Sequence, residues 1–197
     1  MVDKYGTGED PACYPGTSTL RNLLNIKDPS KLEEAERDIS FHSAQEVEFS
    51  PPPYDLDYLC YLHKRLFQDI YAWAGDIRTI DISKGHTRFC TASRLRPEAS
   101  KLFTTLAEQH FFEGMSRAHL VFSIAELYGE VNMLHPFREG NGRAQRLLFE
   151  HLIVNAGYEV SWAPARRQTW LEANVAAVQC DYRPLTAIFD RCIGTAL

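Results

Sequence analysis

The chain has 197 residues, of which 45% are hydrophobic and 24% are charged. This composition is typical of one globular domain with a sizeable core, and it excludes a disordered tail, a collagenous repeat and a coiled-coil rod. With 26 acidic and 21 basic residues the net charge is −5, so the surface as a whole is a poor match for nucleic acid and no direct nucleic-acid partner is expected.

Helical patterns dominate the first third of the chain. Asp28 before a proline predicts a helix start, and the three prolines at residues 51–53 end that helix. A second helix is predicted to start near Asp55, to carry an apolar stripe as far as Trp73 and to end at Gly75.

Only one segment predicts a β-strand. Residues 77–82 are rich in β-branched residues, residues 83–86 have turn chemistry, and residues 87–90 could return as a short partner strand. Together they predict one hairpin, which spans about residues 77–90.

The rest of the chain predicts helices. Five further segments have helical periodicity or start signals, which begin at Pro97, Ser116, Arg143, Trp170 and Leu185. The three tryptophans fall at apolar positions and are expected in the core: Trp73, Trp162 and Trp170. The sequence therefore predicts a single all-α domain over residues 1–197, with a small β-hairpin as an appendage.

The sequence also predicts a compartment. No window approaches the roughly 18 apolar residues of a membrane-spanning helix, so no membrane association is expected. Residues 1–10 lack the apolar stretch of a secretory signal. The five cysteines are scattered and form no C-x-x-C pair, which favours reduced thiols over disulfides or a zinc site. These observations predict a cytoplasmic protein.

The most informative segment is residues 135–146, HPFREGNGRAQR, a loop that leads into a helix. Gly140 and Gly142 free the backbone, so that successive N–H groups can converge, and the helix N-terminus adds further donors. Arg143 and Arg146 share one face of the first turn, where two cations are unfavourable unless an anion is bound. The segment therefore predicts a phosphate site, and two solvated arginines after a structural turn remain the alternative.

Two other residues of this segment add chemistry. Glu139 lies beside the phosphate site, where its carboxylate would repel the ligand unless Mg²⁺ lay between them; a surface pair with Arg138 is the alternative. His135 faces the same turn, and a neutral imidazole there could take a proton from an attacking hydroxyl, although a lone histidine can also be structural. A base, a metal carboxylate and a phosphate site so close together predict phosphoryl or nucleotidyl transfer.

Residues 135–146 resemble, without departure, the Fic family motif H-P-F-x-[D/E]-G-N-G-R-x-x-R. Residues 63–75, Arg78 and Phe89 are also similar to this family, and the resemblance spans about residues 5–190. It implies an all-α Fic fold and the transfer of AMP from ATP to a hydroxyl of a target protein, with release of pyrophosphate.

Carried over residue by residue, the resemblance implies that His135 is the general base and that Glu139 binds Mg²⁺. The nucleotide phosphates would be bound by Gly140, Asn141, Gly142, Arg143 and Arg146. Within this set, the backbone of the two glycines and the Asn141 side chain would hold the α-phosphate, Arg143 would contact the β-phosphate, and Arg146 would bind the γ-phosphate.

The hairpin gains a role from the same resemblance. In the family it is a flap that aligns an extended target segment by main-chain pairing. Ile82, Lys84 and Phe89 are the expected target-binding positions, and Lys84 and Gly85 at the tip are also expected near the nucleotide. For Lys84 an ordinary turn lysine remains the alternative.

Regulation is predicted from an absent motif. Fic proteins are commonly restrained by a helix with the pattern [S/T]-x-x-x-E-[G/N], whose glutamate occupies the γ-phosphate site. The chain has two Glu-Gly pairs, at residues 113–114 and 139–140, and neither has Ser or Thr four residues before its glutamate. The resemblance therefore implies a toxin whose small helical antitoxin supplies the glutamate in trans.

Two other functions stay open. A Fic-fold kinase of the Doc type transfers the γ-phosphate, but it resembles A-N-K where this chain has residues 140–142, Gly-Asn-Gly. An inactive nucleotide-binding interaction module is the second alternative. The resemblance suggests a type II topoisomerase as target, with the gyrase B subunit first, and leaves the acceptor residue open.

Overall fold

A computed structural model describes residues 12–197, so the expectation for residues 1–10 lies outside the described residues. This part of the chain contains seven helices, which are α1 Pro29–Gln45, α2 Leu56–Phe67, α3 Leu95–Glu108, α4 Arg117–Leu134, α5 Asn141–Asn155, α6 Arg167–Ala177 and α7 Arg183–Cys192. It also contains two short antiparallel strand pairs, β1 Ser83–Lys84 with β2 Thr87–Arg88 and β3 Tyr158–Val160 with β4 Ile193–Ala196. The predicted all-α class is confirmed.

Helix starts follow the predicted caps. The Asp28 carboxylate accepts two backbone N–H groups at the start of α1, at 2.9 and 3.0 Å, and Asp55 accepts the Tyr58 N–H at 2.7 Å at the start of α2. The remaining five helices begin within three residues of the predicted positions. None of the helices between residues 12 and 197 is long and apolar enough to cross a bilayer.

The predicted end of α2 is wrong. The helix ends at Phe67 rather than at Gly75, because the Phe67 carbonyl accepts the N–H groups of both Ile70 and Tyr71 and closes the chain into turns. The apolar stripe continues because these turns still face the core, and Tyr71 stacks on Trp73 with ring centroids 4.3 Å apart. Periodicity alone does not separate a helix from such turns.

The predicted strand over residues 77–82 is also wrong. The paired residues are Ser83–Lys84 and Thr87–Arg88, so only the hairpin itself is confirmed. Residues 77–82 are held differently, since the Arg78 N–H donates to the Pro136 carbonyl at 2.9 Å instead of to a partner strand. The flap is therefore anchored to the loop that follows α4.

The second strand pair corrects the prediction of a single hairpin. Tyr158 pairs with Ala196, and Val160 pairs with Ile193, which fastens the end of the chain beside α5. Strands of three and four residues are too short for alternation to stand out in the sequence.

The core is centred on α4 and α5, which pack against each other and are surrounded by α2, α3, α6 and α7. The loop between α4 and α5, residues 135–140, lies inside this arrangement and not at its edge. Its Phe137 is fully buried and stacks on His63, with ring centroids 3.9 Å apart. The motif loop is therefore placed by the core itself.

Candidate active site

His135 ends α4 in the left-handed conformation, with φ 44°, and turns the chain into the motif loop. Its half-buried ring stacks on Phe89, with centroids 3.8 Å apart and planes 14° apart. Nδ1 lies 3.3 Å from the Asn132 carbonyl oxygen. A carbonyl can only accept, so the proton of the neutral ring is on Nδ1 and Nε2 keeps the lone pair that a general base needs.

Arg78 holds the end of α4, a role that the sequence did not indicate. Its Nε donates to the His135 carbonyl at 2.8 Å, and Nη2 donates to the Leu134 carbonyl at 3.3 Å. The same guanidinium donates to the carbonyls of Ile80 and Cys90. Burial lowers its pKa, but it stays a cation beside the negative end of a helix. Arg78 thus joins the flap segment to the backbone of the predicted base.

Asn141 closes the motif loop. Its Oδ1 accepts the Phe137 N–H at 2.8 Å, and its Nδ2 donates to the Phe137 carbonyl at 2.8 Å. The amide is buried, so its side chain serves the loop in this structure, whereas the sequence predicted a contact with the α-phosphate. That contact stays a prediction.

The two glycines of the motif differ in their surroundings. Gly140 has φ 76°, and a Cβ atom there would lie 2.4 Å from Cε2 of Phe67 and 3.1 Å from Nε2 of His63. Gly142 is exposed, and a Cβ atom there would meet nothing within 4 Å. Gly140 is therefore required by close packing, whereas Gly142 leaves the start of α5 open. The Arg143 N–H donates to the Gly140 carbonyl at 3.1 Å. The N–H groups before it stand at the start of the helix, where such groups have no intrahelical partner and can receive an anion.

His63 fixes the backbone of Glu139. The Gly75 N–H donates to Nδ1 of His63 at 2.9 Å, so Nδ1 is the acceptor and Nε2 carries the proton. Nε2 donates to the Glu139 carbonyl at 2.9 Å. Burial, with a smaller effect of the nearby Arg143, lowers the pKa of His63 to about 4 and keeps this tautomer neutral. The Glu139 carboxylate accepts the Gly140 N–H at 3.0 Å, which places it at the start of α5.

The two arginines of the motif point into different surroundings. Arg143 donates to Glu36 on α1 at 2.5 Å and lies over the ring of Phe67, 4.6 Å from its centroid. Arg146 lies over Trp170 at 4.9 Å and near Trp162 at 5.8 Å. Both tryptophans pack against the core as expected, and they also hold a motif cation, which the sequence did not predict. The phosphate contacts of both arginines stay predictions.

The flap residues divide into two groups. Lys84 and Gly85 are exposed at the tip, but Ile82 and Phe89 are buried, with 2% and 8% of their surface exposed. The side chain of Phe89 packs against His135 and is therefore not accessible at the surface. A role of these positions in target binding stays a prediction.

The fold and this site define a class of protein. A histidine at a helix end, a closed glycine-containing loop and an adjoining helix start with two arginines are features that phosphoryl or nucleotidyl transfer would require. Comparison with known proteins agrees with this chemistry. The model of the Fic/DOC family matches residues 53–153.

Relatives cover the whole chain. The Probable protein adenylyltransferase Fic of Salmonella typhimurium strain LT2 is 39% identical over 196 residues, which is 100% of this chain and 98% of that protein. Protein adenylyltransferase VbhT of Bartonella schoenbuchensis is 32% identical over 95% of this chain, which corresponds to 40% of that protein. The crystal structure of the VirB-translocated effector BepC of Bartonella tribocorum, with bound AMPPNP, gives a TM-score of 0.87 at 27% identity, over 94% of this chain and 97% of that one.

The chain therefore belongs to the Fic/DOC family. It has the Fic fold, and it is a protein adenylyltransferase. The family, fold and enzyme class that the motif predicted are confirmed.

Proposed function

We propose that the chain transfers AMP from ATP to a hydroxyl side chain of a target protein through the residues of the motif loop. The observation that carries this proposal is the placement of His135. His135, with the lone pair on Nε2, begins the loop of residues 135–140, and this loop leads directly into the open start of α5. The side-chain amide of Asn141 closes the loop. The proposed base and the proposed anion site would thereby be held by the same short segment.

In the proposed reaction, His135 acts on the acceptor hydroxyl, and the start of α5 and the two arginines act on the phosphates. His135 Nε2 takes the proton of the acceptor hydroxyl, whose oxygen attacks the α-phosphorus of ATP, and the bond to pyrophosphate breaks. The N–H groups at the start of α5 bind the α-phosphate, and Arg143 and Arg146 bind the phosphates that leave. The proton then passes from His135 to water, which regenerates the base.

Mg²⁺ fits this site through a single carboxylate. Residues 12–197 contain no group of three or more His, Cys, Asp or Glu side chains that could hold a metal by themselves. Mg²⁺ commonly takes one or two carboxylates together with substrate phosphates and water, and Glu139, which accepts the Gly140 N–H at the start of α5, would supply that carboxylate. When bound, the ion would neutralise phosphate charge.

Labelled ATP tests the proposed reaction. The full chain is incubated with a lysate and with ATP labelled at the α- or the γ-phosphate, and His135→Ala is the control. Label on protein from the α-position alone, lost in His135→Ala, is the expected result. Label from the γ-position alone would indicate a kinase of the Doc type, and no label with retained ATP binding would indicate an interaction module.

We also propose that the chain is the toxin of a cytoplasmic toxin–antitoxin pair. The sequence lacks the inhibitory pattern, and a partner glutamate could pair with the fork of Arg146 in competition with the γ-phosphate. Expression of the chain alone should arrest growth, and co-expression with a small helical antitoxin should prevent the arrest. Replacement of the antitoxin glutamate by glycine should restore activity without releasing the partner, because the rest of the interface remains.

The target is proposed from family resemblance. Bacterial type II topoisomerases are the first candidate acceptors to test for AMP transfer, beginning with the gyrase B subunit. Mass spectrometry of proteins that gain AMP after brief expression would identify the acceptor directly. A spectrum with no AMP adduct on a topoisomerase subunit would contradict this choice.

A further inference from the structure

A buried acid on α1 reaches the motif from a distant part of the chain. Arg143 Nη2 donates to Oε2 of Glu36 at 2.5 Å, across 107 positions of sequence, and Nη1 donates to Oγ of Ser40 at 3.1 Å. Glu36 and Ser40 are four residues apart and face the same side of α1. The other carboxylate oxygen of Glu36 accepts the hydroxyl of Tyr71.

This contact differs from an ordinary surface ion pair. The side chain of Glu36 is only 10% exposed, whereas the side chains of the neighbouring pair Arg37 and Asp38 are 67% and 60% exposed. Exposed pairs contribute little because water competes for both partners, but a buried carboxylate holds its partner in one orientation. Burial and the adjacent Glu36 raise the pKa of Tyr71, so its hydroxyl stays a donor to the carboxylate.

The guanidinium of Arg143 is fixed on two sides and open on a third. One face lies on the ring of Phe67, and two of its five N–H donors point to α1. Three donors remain, and a third of the side chain, 33%, is exposed. A fork held in this way is pre-organised to receive an anion at its exposed edge.

We propose that Glu36, supported by Ser40 and Tyr71, is the positioning group of Arg143 and thereby sets the affinity of the site for the β-phosphate. Glu36 does not touch the nucleotide in this proposal; it acts through the orientation of the arginine. The inference rests on the proposed function, because that function assigns the β-phosphate to Arg143.

Nucleotide binding by the full chain tests the inference. Dissociation constants for AMP, ADP and ATP are measured by calorimetry for the parent chain, Glu36→Gln and Ser40→Ala. Glu34→Gln is the matched control, because Glu34 is exposed on the same helix. We expect Glu36→Gln to raise the dissociation constants of ADP and ATP roughly tenfold, because one charge-assisted hydrogen bond to Arg143 is lost. The dissociation constant of AMP should stay within about twofold of the parent value. Ser40→Ala should act in the same direction by about two- to threefold.

The same measurements in an Arg143→Ala background show whether the effect of Glu36 depends on Arg143. There Glu36→Gln should have no further effect on ADP or ATP. Equal weakening of all three nucleotides, tighter ATP binding, or an undiminished effect without Arg143 would each overturn the inference. If thermal unfolding shows that Glu36→Gln does not fold, the dissociation constants of Ser40→Ala, with and without Arg143, test the inference instead.

The parent chain separates this inference from the proposed function. A parent chain that binds ATP and ADP more tightly than AMP, together with unaffected Glu36 and Ser40 variants, would overturn the positioning role alone. A parent chain that binds AMP and ATP equally would overturn the assignment of the β-phosphate to Arg143, and this inference with it, whereas AMP transfer itself is decided by the experiment with labelled ATP.

Discussion

His135 can act as a base only while Nδ1 carries the ring proton, and the Asn132 carbonyl at 3.3 Å favours that tautomer. Replacement by alanine removes the lone pair but leaves the start of α5 intact. We expect His135→Ala to lower the rate of AMP transfer by about 10²–10⁴-fold with ATP affinity nearly unchanged. A quantitative labelling assay and calorimetry measure the two quantities. His119→Ala, exposed on the same helix, is the control; a His135→Ala enzyme with most of its activity would contradict the assignment.

The role of Glu139 depends on the metal. Its carboxylate stands at the start of α5 and accepts the Gly140 N–H, so without an ion it would repel the phosphates. We expect Glu139→Gln to weaken ATP binding at least several-fold in the presence of Mg²⁺, and to change it little, or to strengthen it, in excess EDTA. Titration of ATP under both conditions measures this. Equal losses with and without Mg²⁺ would mean that Glu139 is structural.

At the scale of single residues, the sequence predicts candidate chemistry for the site but not the residues that support it. The motif predicts roles for His135 and Glu139 because residue type and spacing are local. The supports Glu36 and His63 come from other helices and contact the motif across 107 and 76 positions of sequence. No local pattern marks such contacts. A charged residue on the inner face of α1, at the spacing of buried Leu32 and Ser40, is the one available signal for Glu36.

At the scale of elements, helices were predictable and the flap was not. Helix starts carry capping residues such as Asp28 and Asp55, whose effect is local. The β-branched residues at 77–82 have the composition of a strand. The buried Arg78 instead donates hydrogen bonds to a carbonyl of this segment and to one at the end of α4. These tertiary contacts override the local strand propensity. Propensity thus predicted a hairpin at the right place with the wrong paired residues.

The loop between α4 and α5 allows a paired test of packing. Gly140→Ala would place a Cβ atom against the buried ring of Phe67 and force alanine into a left-handed conformation. We expect a loss of about 2–4 kcal/mol in the free energy of unfolding. Gly142→Ala, in the open first turn of α5, should be neutral or raise it by about 0.5–1 kcal/mol. Urea unfolding measures both, and similar values for the two variants would contradict the close approach of Phe67.

At the scale of the whole molecule, His63 joins three parts of the fold. It lies on α2, accepts the Gly75 N–H of the turn that precedes the flap, and donates to the Glu139 carbonyl of the motif loop. Its ring also packs on Phe137 in the core. Protonation of Nδ1 would break the bond from Gly75, because a protonated ring has no acceptor. The charge state of one histidine is therefore linked to global stability.

The pH dependence of unfolding follows from this link. The pKa of His63 is about 4 in the folded chain and about 6.5 when unfolded, so between these values the unfolded chain binds more protons. The stabilisation is fully present above pH 6.5 and is lost as the pH falls toward 4, by about 3 kcal/mol in total. Urea unfolding from pH 7.5 to pH 4 should show this decline, and His63→Leu should remove about that much of it even though the variant is less stable at neutral pH.

Other groups act in the same experiment and define its control. Burial also lowers the pKa of His151, which adds to the decline, and carboxylates such as Glu98, whose pKa is lowered by Arg94, act at still lower pH. The prediction therefore concerns the difference between the parent chain and His63→Leu, which cancels these contributions. The variant His119→Leu, exposed on α4, should keep the pH profile of the parent chain. Parallel profiles for the parent chain and His63→Leu would contradict a neutral, buried His63, because the folded and unfolded chains would then bind protons equally at this position.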